Sequence, residues 1–334
     1  MRPFAFVEPN SLDEVIRLLA AGPGHARLIA GGSDLLGELK DEVVAYERLV
    51  SLAGLEELRQ IREEGRGVRL GALVTVAQLE YDPRLQGPYR ILAEAARSVA
   101  TPEIRNQGTL GGNLCQRPRC FYYRNALTPC LKKGGADCPA LESPYQAYLS
   151  IMGGHGCYSV HASDLAPPLM ALGAQVALAG PSGERVLPLE QFFAGPEQDV
   201  SRENVLADDE VLTAVTLPAG WPGWQGTYLK ARERTAGDFP VVSVAVGYAL
   251  DAGRIRQARL VLGGVAPVPW RSPAAEAVLE GQHQSPELAA RAAAAALANV
   301  QPLSHNAFKV EIGRASVARA IMAVASSLRR EPSG

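Results

Sequence analysis

The sequence predicts an α+β protein built as two units, and three observations lead there. Short strand-like runs alternate with amphipathic helical runs through the first part of the chain. Periodicity then disappears between residues 101 and 163, where Gly, Pro, Cys, Tyr and basic residues take over. Alternating strand patterns return near the end, followed by alanine-rich helical ones. A length of 334 residues is enough for two or three domains, and 47% hydrophobic residues describe an ordinary globular composition.

Ser11, with Glu14 three residues on, makes a capping box, and Leu12, Val15, Leu18 and Leu19 form the apolar face of a helix that Gly22-Pro23-Gly24 stops. Residues 27–30 read as a short buried strand broken by Gly31-Gly32-Ser33-Asp34, after which Leu35 to Lys40 opens a helical turn. Strands are expected over 48–52 and 68–73, and helices over 76–80 and 89–99. Apolar periodicity resumes over 165–176, and a Pro- and Gly-rich stretch with strand-like pieces follows. Antiparallel strands over 241–250 and 256–265 and helices over 288–300 and 315–328 complete the chain. The expected units are 1–178, subdivided at about residue 54; a linker with connecting strands, 179–222; and an α+β unit, 223–330.

A formal net charge of −2 provides no basic footprint for nucleic acid or an anionic membrane. No window of 18 apolar residues occurs, and the N-terminus has no basic and apolar signal pattern, so neither membrane insertion nor export is expected and the chain reads as cytoplasmic. Nucleophilic triads, a P-loop and an HExxH zinc motif are likewise missing.

Two glycine loops carry chemistry. Ala30-Gly31-Gly32-Ser33-Asp34 offers closely spaced main-chain N–H groups and one hydroxyl, a nest suited to a pyrophosphate, although it is not the G-x-G-x-x-G fingerprint. Gln107-Gly108-Thr109-Leu110-Gly111-Gly112-Asn113 has the same character and would clamp a ligand from another side. All five cysteines follow this second loop, spaced Cys115-x4-Cys120-x9-Cys130-x7-Cys138-x18-Cys157. The spacing alone leaves a disulfide framework, a structural zinc and an iron-sulfur cluster open.

Taken together, LIAGGSDLL at 28–36, TPEIRNQGTLGGNL at 101–114, HASDLAPPLMAL at 161–172, VLTAVTLP at 211–218, LGGVAPVPWR at 262–271 and NAFKVEI at 306–312 resemble the FAD-binding medium subunits of the molybdenum hydroxylases, relatives of xanthine dehydrogenase, carbon monoxide dehydrogenase and aldehyde oxidoreductases. The resemblance implies a two-lobed FAD-binding fold of the vanillyl-alcohol-oxidase/MurB-like type, followed by a smaller C-terminal domain of antiparallel sheet with helices. It implies that Ile29, Ala30, Gly31, Gly32, Ser33, Asp34 and Leu35 hold the FAD pyrophosphate. Ala100, Thr101, Ile104, Thr109, Gly112 and Asn113 would form the second clamp, with Asp164 as a polar and Leu212 as an apolar contact. Lys230 would be a cation close to the flavin.

Between GGN and SDLAP this chain inserts about 40 residues, over 115–158, relative to most such subunits. The insertion resembles the one in 4-hydroxybenzoyl-CoA reductase and in periplasmic-type aldehyde oxidoreductases, where it carries a [4Fe-4S] cluster. Cys120, Cys130, Cys138 and Cys157 are the ligands this implies; Cys115 falls outside the set, and His155 and His161 are not needed. Phe121, Tyr122 and Tyr123 would exclude water, while Arg119, Arg124, Lys132 and Lys133 would offset the cluster's negative charge. Activity is expected to be electron transfer with no catalytic residue in this chain. The partners would be a small [2Fe-2S] subunit, a large molybdenum-pterin subunit and an external electron acceptor. A partner bearing a twin-arginine signal would be the route to a periplasm.

Overall fold

Strand β1 (Ala5–Val7), helix α1 (Leu12–Ala20), strand β2 (Ala26–Ile29), helix α2 (Leu35–Lys40) and strand β3 (Arg48–Ser51) form the first lobe, a parallel sheet ordered β1-β3-β2. The computed structural model describes residues 1–22, 24–235 and 237–328, so Pro23 of the expected helix stop and the last two residues of the expected 223–330 unit lie outside the described residues. The Ser11 hydroxyl accepts the Glu14 N–H at 3.2 Å, as the capping box predicts. On the return leg the Glu14 carboxylate accepts from Asn10 instead of Ser11. Val15 and Leu19 are fully buried, while Leu12 and Leu18 pack at the edge of the same small core.

The second lobe opens with the hairpin β4 (Ile61–Glu64) and β5 (Gly67–Gly71), then α3 (Val76–Tyr81) and α4 (Arg90–Ser98). The stretch without periodicity contains three helices too short to show a 3.6-residue repeat: α5 (Pro102–Gln107), α6 (Leu110–Leu114) and α7 (Phe121–Arg124). The apolar run over 165–176 is two elements, α8 (Ala166–Ala171) and the start of strand β6 (Gln175–Gly180). Residues 179–222, expected to link the units, supply β7 (Gly183–Pro188) and β8 (Val211–Leu217) to the same five-stranded sheet, ordered β4-β5-β8-β6-β7. β8 is central because its near-continuous apolar sequence is buried on both faces; exposed β7, ending at Pro188, is an edge.

The C-terminal part is a four-stranded antiparallel sheet ordered β12-β11-β10-β9, from β9 (Gln225–Ala231), β10 (Val242–Asp251), β11 (Arg254–Gly263) and β12 (Trp270–Arg271). Helices α9 (Pro273–Leu279), α10 (Pro286–Ala296) and α11 (Phe308–Leu328) cover one face. The main hydrophobic core runs from β5, α4, α8 and β8 past Trp224, just before β9, into Tyr228, Ala245 and Val261 of this sheet, so the second lobe and the C-terminal part share an interior. A second core lies under α10 and α11 and takes in Ile151 and Met152 from the end of the cysteine insertion.

The insertion is clamped there by polar groups. Asn306 donates to the carbonyls of Leu149 and Ser150 at 3.2 and 3.1 Å, and the buried Lys309 ammonium donates to Leu149 and Gly264 at 2.8 and 2.6 Å. Burial pushes Lys309 down to about 7. Among the described residues no helix is long and apolar enough to cross a membrane.

Candidate functional site

A cleft of about 650 Å³ runs between the first lobe, the α5–α6 segment and the loop after β9. Its walls include every residue expected to bind FAD except Thr101 and Lys230: Ile29 to Leu35 on one side, Ala100, Ile104, Thr109, Gly112 and Asn113 on another, with Asp164 and Leu212 at the base. The two glycine loops touch. A Cβ on Gly31 would sit 2.0 Å from the Gln107 carbonyl oxygen, so only glycine allows the close approach. Thr109 caps α6 by accepting the Gly112 N–H at 3.1 Å, which fixes the second loop. Ala100 is held at φ +39°, a left-handed conformation costly for a residue with a side chain, and its carbonyl accepts the Gly237 N–H at 3.3 Å.

That contact brings Gly237, Asp238 and Phe239 onto the cleft wall from the C-terminal sheet. Sequence reasoning stopped at Lys230 and missed them; the glycine and aromatic residue of GDF in the same loop are the available signal. Arg117 and Arg119 also line the cleft, and Arg119 lies 5.1 Å from the Phe239 ring centre. The cleft therefore pairs main-chain and hydroxyl donors with apolar walls, a combination that fits a flavin dinucleotide.

Thr101 N-caps α5 outside the cleft wall. Lys230 is set one layer back. Its ammonium donates to Asp164 Oδ2 at 2.7 Å and to the Ser98 carbonyl at 3.1 Å, and both partners of the ion pair are almost wholly buried. Tyr228 donates to the other Asp164 oxygen at 2.6 Å. Burial raises the Asp164 carboxyl above the usual range, opposed by the Lys230 charge and by these hydrogen bonds. The cleft sees the carboxylate directly and the lysine through it.

Four of the five cysteines are neighbours. Burial raises the cost of charging Cys120 and Cys138, and their neighbours add to it: Cys157 and Cys138 for Cys120, Cys157 and Cys130 for Cys138. Cys115 stands apart on the cleft wall beside Arg27, where burial pushes its thiol up to about 12. Cys120, Cys130 and Cys138 each sit at the start of a short helical turn. Burial pushes Cys120 up to about 11, while the N–H groups of Tyr122 and Tyr123 favour its thiolate. Gly135 lets the chain fold tightly round Cys130, since a Cβ there would lie 2.8 Å from the Cys130 nitrogen. As placed, no three His, Cys, Asp or Glu side chains among the described residues converge closely enough to hold a metal ion.

The surroundings differ in part from expectation. Tyr122 and Tyr123 are buried, but Phe121 is exposed. The basic residues face acids or carbonyls: Arg119 and Arg124 pair with Asp34, Lys132 pairs with Glu203 at 2.6 Å, and Lys133 donates to Asn125 O at 2.5 Å.

Residues 2–220 match the family described as the FAD binding domain in molybdopterin dehydrogenase, and residues 227–324 match the CO dehydrogenase flavoprotein C-terminal domain. The chain is 32% identical to the aldehyde oxidoreductase FAD-binding subunit PaoB of Escherichia coli, over 95% of this chain and 97% of that one. It is 29% identical to the carbon monoxide dehydrogenase medium chain of Hydrogenophaga pseudoflava, over 90% and 88%. Among solved structures, a carbon monoxide dehydrogenase from H. pseudoflava lacking the Mo-pyranopterin moiety superposes with a TM-score of 0.78 at 29% identity, covering 98% of this chain and 99% of that one. Quinoline 2-oxidoreductase from Pseudomonas putida 86 superposes with a TM-score of 0.77 at 27% identity, covering 98% of each. By the fold, the cleft and these matches, the chain belongs to the FAD-binding medium subunits of the molybdenum hydroxylases.

Proposed function

We propose that this subunit is the electron-transfer flavoprotein of a molybdenum-dependent aldehyde oxidoreductase. It would carry FAD in the cleft and a [4Fe-4S] cluster on Cys120, Cys130, Cys138 and Cys157. It would take electrons from a small [2Fe-2S] subunit, fed by a large molybdenum-pterin subunit, and pass them to an external acceptor. The observation that carries the reading is the separation of the cysteines: Cys120, Cys138 and Cys157 lie within electrostatic reach of one another and Cys130 within reach of Cys138, while Cys115 belongs to the cleft wall. The aldehyde substrate is drawn from the likeness to PaoB over nearly the whole chain.

When bound, FAD accepts electrons singly and releases them in pairs, and a four-iron cluster exchanges one at a time. The residues supply position and electrostatics. Gly31 to Leu35 and Thr109 to Asn113 would grip the diphosphate with main-chain N–H groups and hydroxyls. Asp164, held by Lys230 and Tyr228, would present a fixed polar group at the cleft base. Main-chain N–H groups directed at the cysteine sulfurs would stabilise charge on them.

The test uses the chain co-expressed with its two partner subunits and purified without air. Cys130→Ser is expected to lose iron from this subunit while FAD content stays near one per chain, and Cys115→Ser to keep both. Loss of iron in Cys115→Ser with retention in Cys130→Ser would refute the ligand set. A complex without aldehyde oxidation but active on another substrate class would refute the substrate alone.

A further inference from the structure

Asp34 stands at the N-terminus of α2, where an Asp side chain ordinarily accepts an amide of the helix's own first turn. It makes no such bond. Its carboxylate turns instead to the cysteine insertion: Oδ2 accepts the Arg117 N–H at 2.8 Å, and Oδ1 meets the guanidinium groups of Arg124 at 2.6 Å and Arg119 at 3.0 Å. One turn along the same face of α2, buried Glu38 accepts the Tyr123 hydroxyl at 2.6 Å. The residues that meet this acidic face, Arg117, Arg119, Tyr123 and Arg124, bracket Cys120 on both sides. The same helix springs from Gly31-Gly32-Ser33, which lines the cleft.

We propose that α2 couples the two cofactor sites, its Asp34 and Glu38 holding the Cys120 segment in place so that filling the four-cysteine site and binding FAD favour one another. The proposal rests on those four cysteines being the ligands. The physical reason is mutual dependence. Partly buried guanidinium groups are tolerated only when paired, and the carboxylates of α2 are buried only when the insertion covers them. Ordering either partner removes a cost from ordering the other, and linkage requires the effect to be equal in both directions.

Arg124 and Tyr123 are the residues to change, because neither lines the cleft and each is bound to α2, Arg124 through Asp34 and Tyr123 through Glu38. FAD affinity of the purified chain is measured by flavin fluorescence titration, after iron removal by a chelator and after anaerobic reconstitution with iron and sulfide. The wild type is expected to bind FAD at least about fivefold more tightly when reconstituted. Arg124→Gln combined with Tyr123→Phe is expected to bring that ratio close to one, and Arg124→Lys, which keeps the ion pair, to retain most of it. A wild-type ratio of one, or an undiminished ratio in the double variant, overturns the proposal. Arg124→Gln alone serves if the double variant does not fold, with a partial fall expected and an unchanged ratio counting against.

If the chain takes up no iron, the cluster reading fails, and the coupling is decided separately on the metal-free protein by hydrogen exchange. Adding FAD is then expected to protect amides of residues 117–124 in the wild type and not in the variant. Absence of FAD-dependent protection there overturns the role of α2 as well.

Discussion

His161 packs edge-on against Phe193 with ring centres 4.7 Å apart and is almost wholly buried. Burial pushes it down to about 4, partly offset by the main chain at Leu114. The unfolded chain, with an ordinary histidine, takes up the proton first. Stability from neutral His161 is therefore fully present above about pH 6.5 and is lost as pH falls toward 4, by up to about 3 kcal/mol. His161→Leu is expected to flatten the fall of Tm over that window, measured by calorimetry against the wild type; an unchanged acid slope would show that other groups set it. Its sequence neighbourhood, beside the cysteines, gave it no role as a ligand, and only burial reveals a neutral core residue. Lys230 shows a related limit. A place near the flavin came only from the family resemblance, and the Asp164 carboxylate that stands between Lys230 and the cleft comes from a segment 66 residues earlier, a relation no local pattern carries.

The β2–α2 loop and the α5–α6 segment are two elements that function as one, because they meet at Gly31 and Gln107. Gly31→Ala forces that contact apart. It is expected to cost about 3 kcal/mol of stability and to abolish retention of FAD through gel filtration, read as the ratio of flavin to protein absorbance. Full flavin retention would mean that the loops part without harm. These elements were legible in outline: strand, glycine turn and helix start stand where the patterns put them, and α1 has its predicted cap. Helices α5, α6 and α7 were not, since four to six residues cannot display an amphipathic repeat. Of the β4–β5 hairpin, β5 was expected and β4 was not, because Arg62, Glu63 and Glu64 are polar and exposed, an edge strand defined by its partner.

Across the whole molecule, the boundary between FAD-binding and C-terminal parts is crossed by a single hydrophobic core, with Trp224 and Tyr228 packed among residues of β5, α4 and β8. Calorimetry on the metal-free chain is therefore expected to show one cooperative transition; two well-resolved transitions would contradict the shared interior. Composition signalled two units, but shared burial is a property of assembled sheets, and the sequence stretch 179–222 looked like a linker because its strands find their partners far away.

The central place of β8 has a bearing on biosynthesis. β5 gains its inner neighbour only when residues 211–217 arrive, after α5 to α8 and the entire cysteine insertion have been translated. Until then β5 and β6 remain unjoined, with apolar edges open to wrong partners. The thiols thus emerge from the ribosome before the sheet that will support them exists, so the cysteine insertion reaches its folded position only once the nascent lobe has closed around β8.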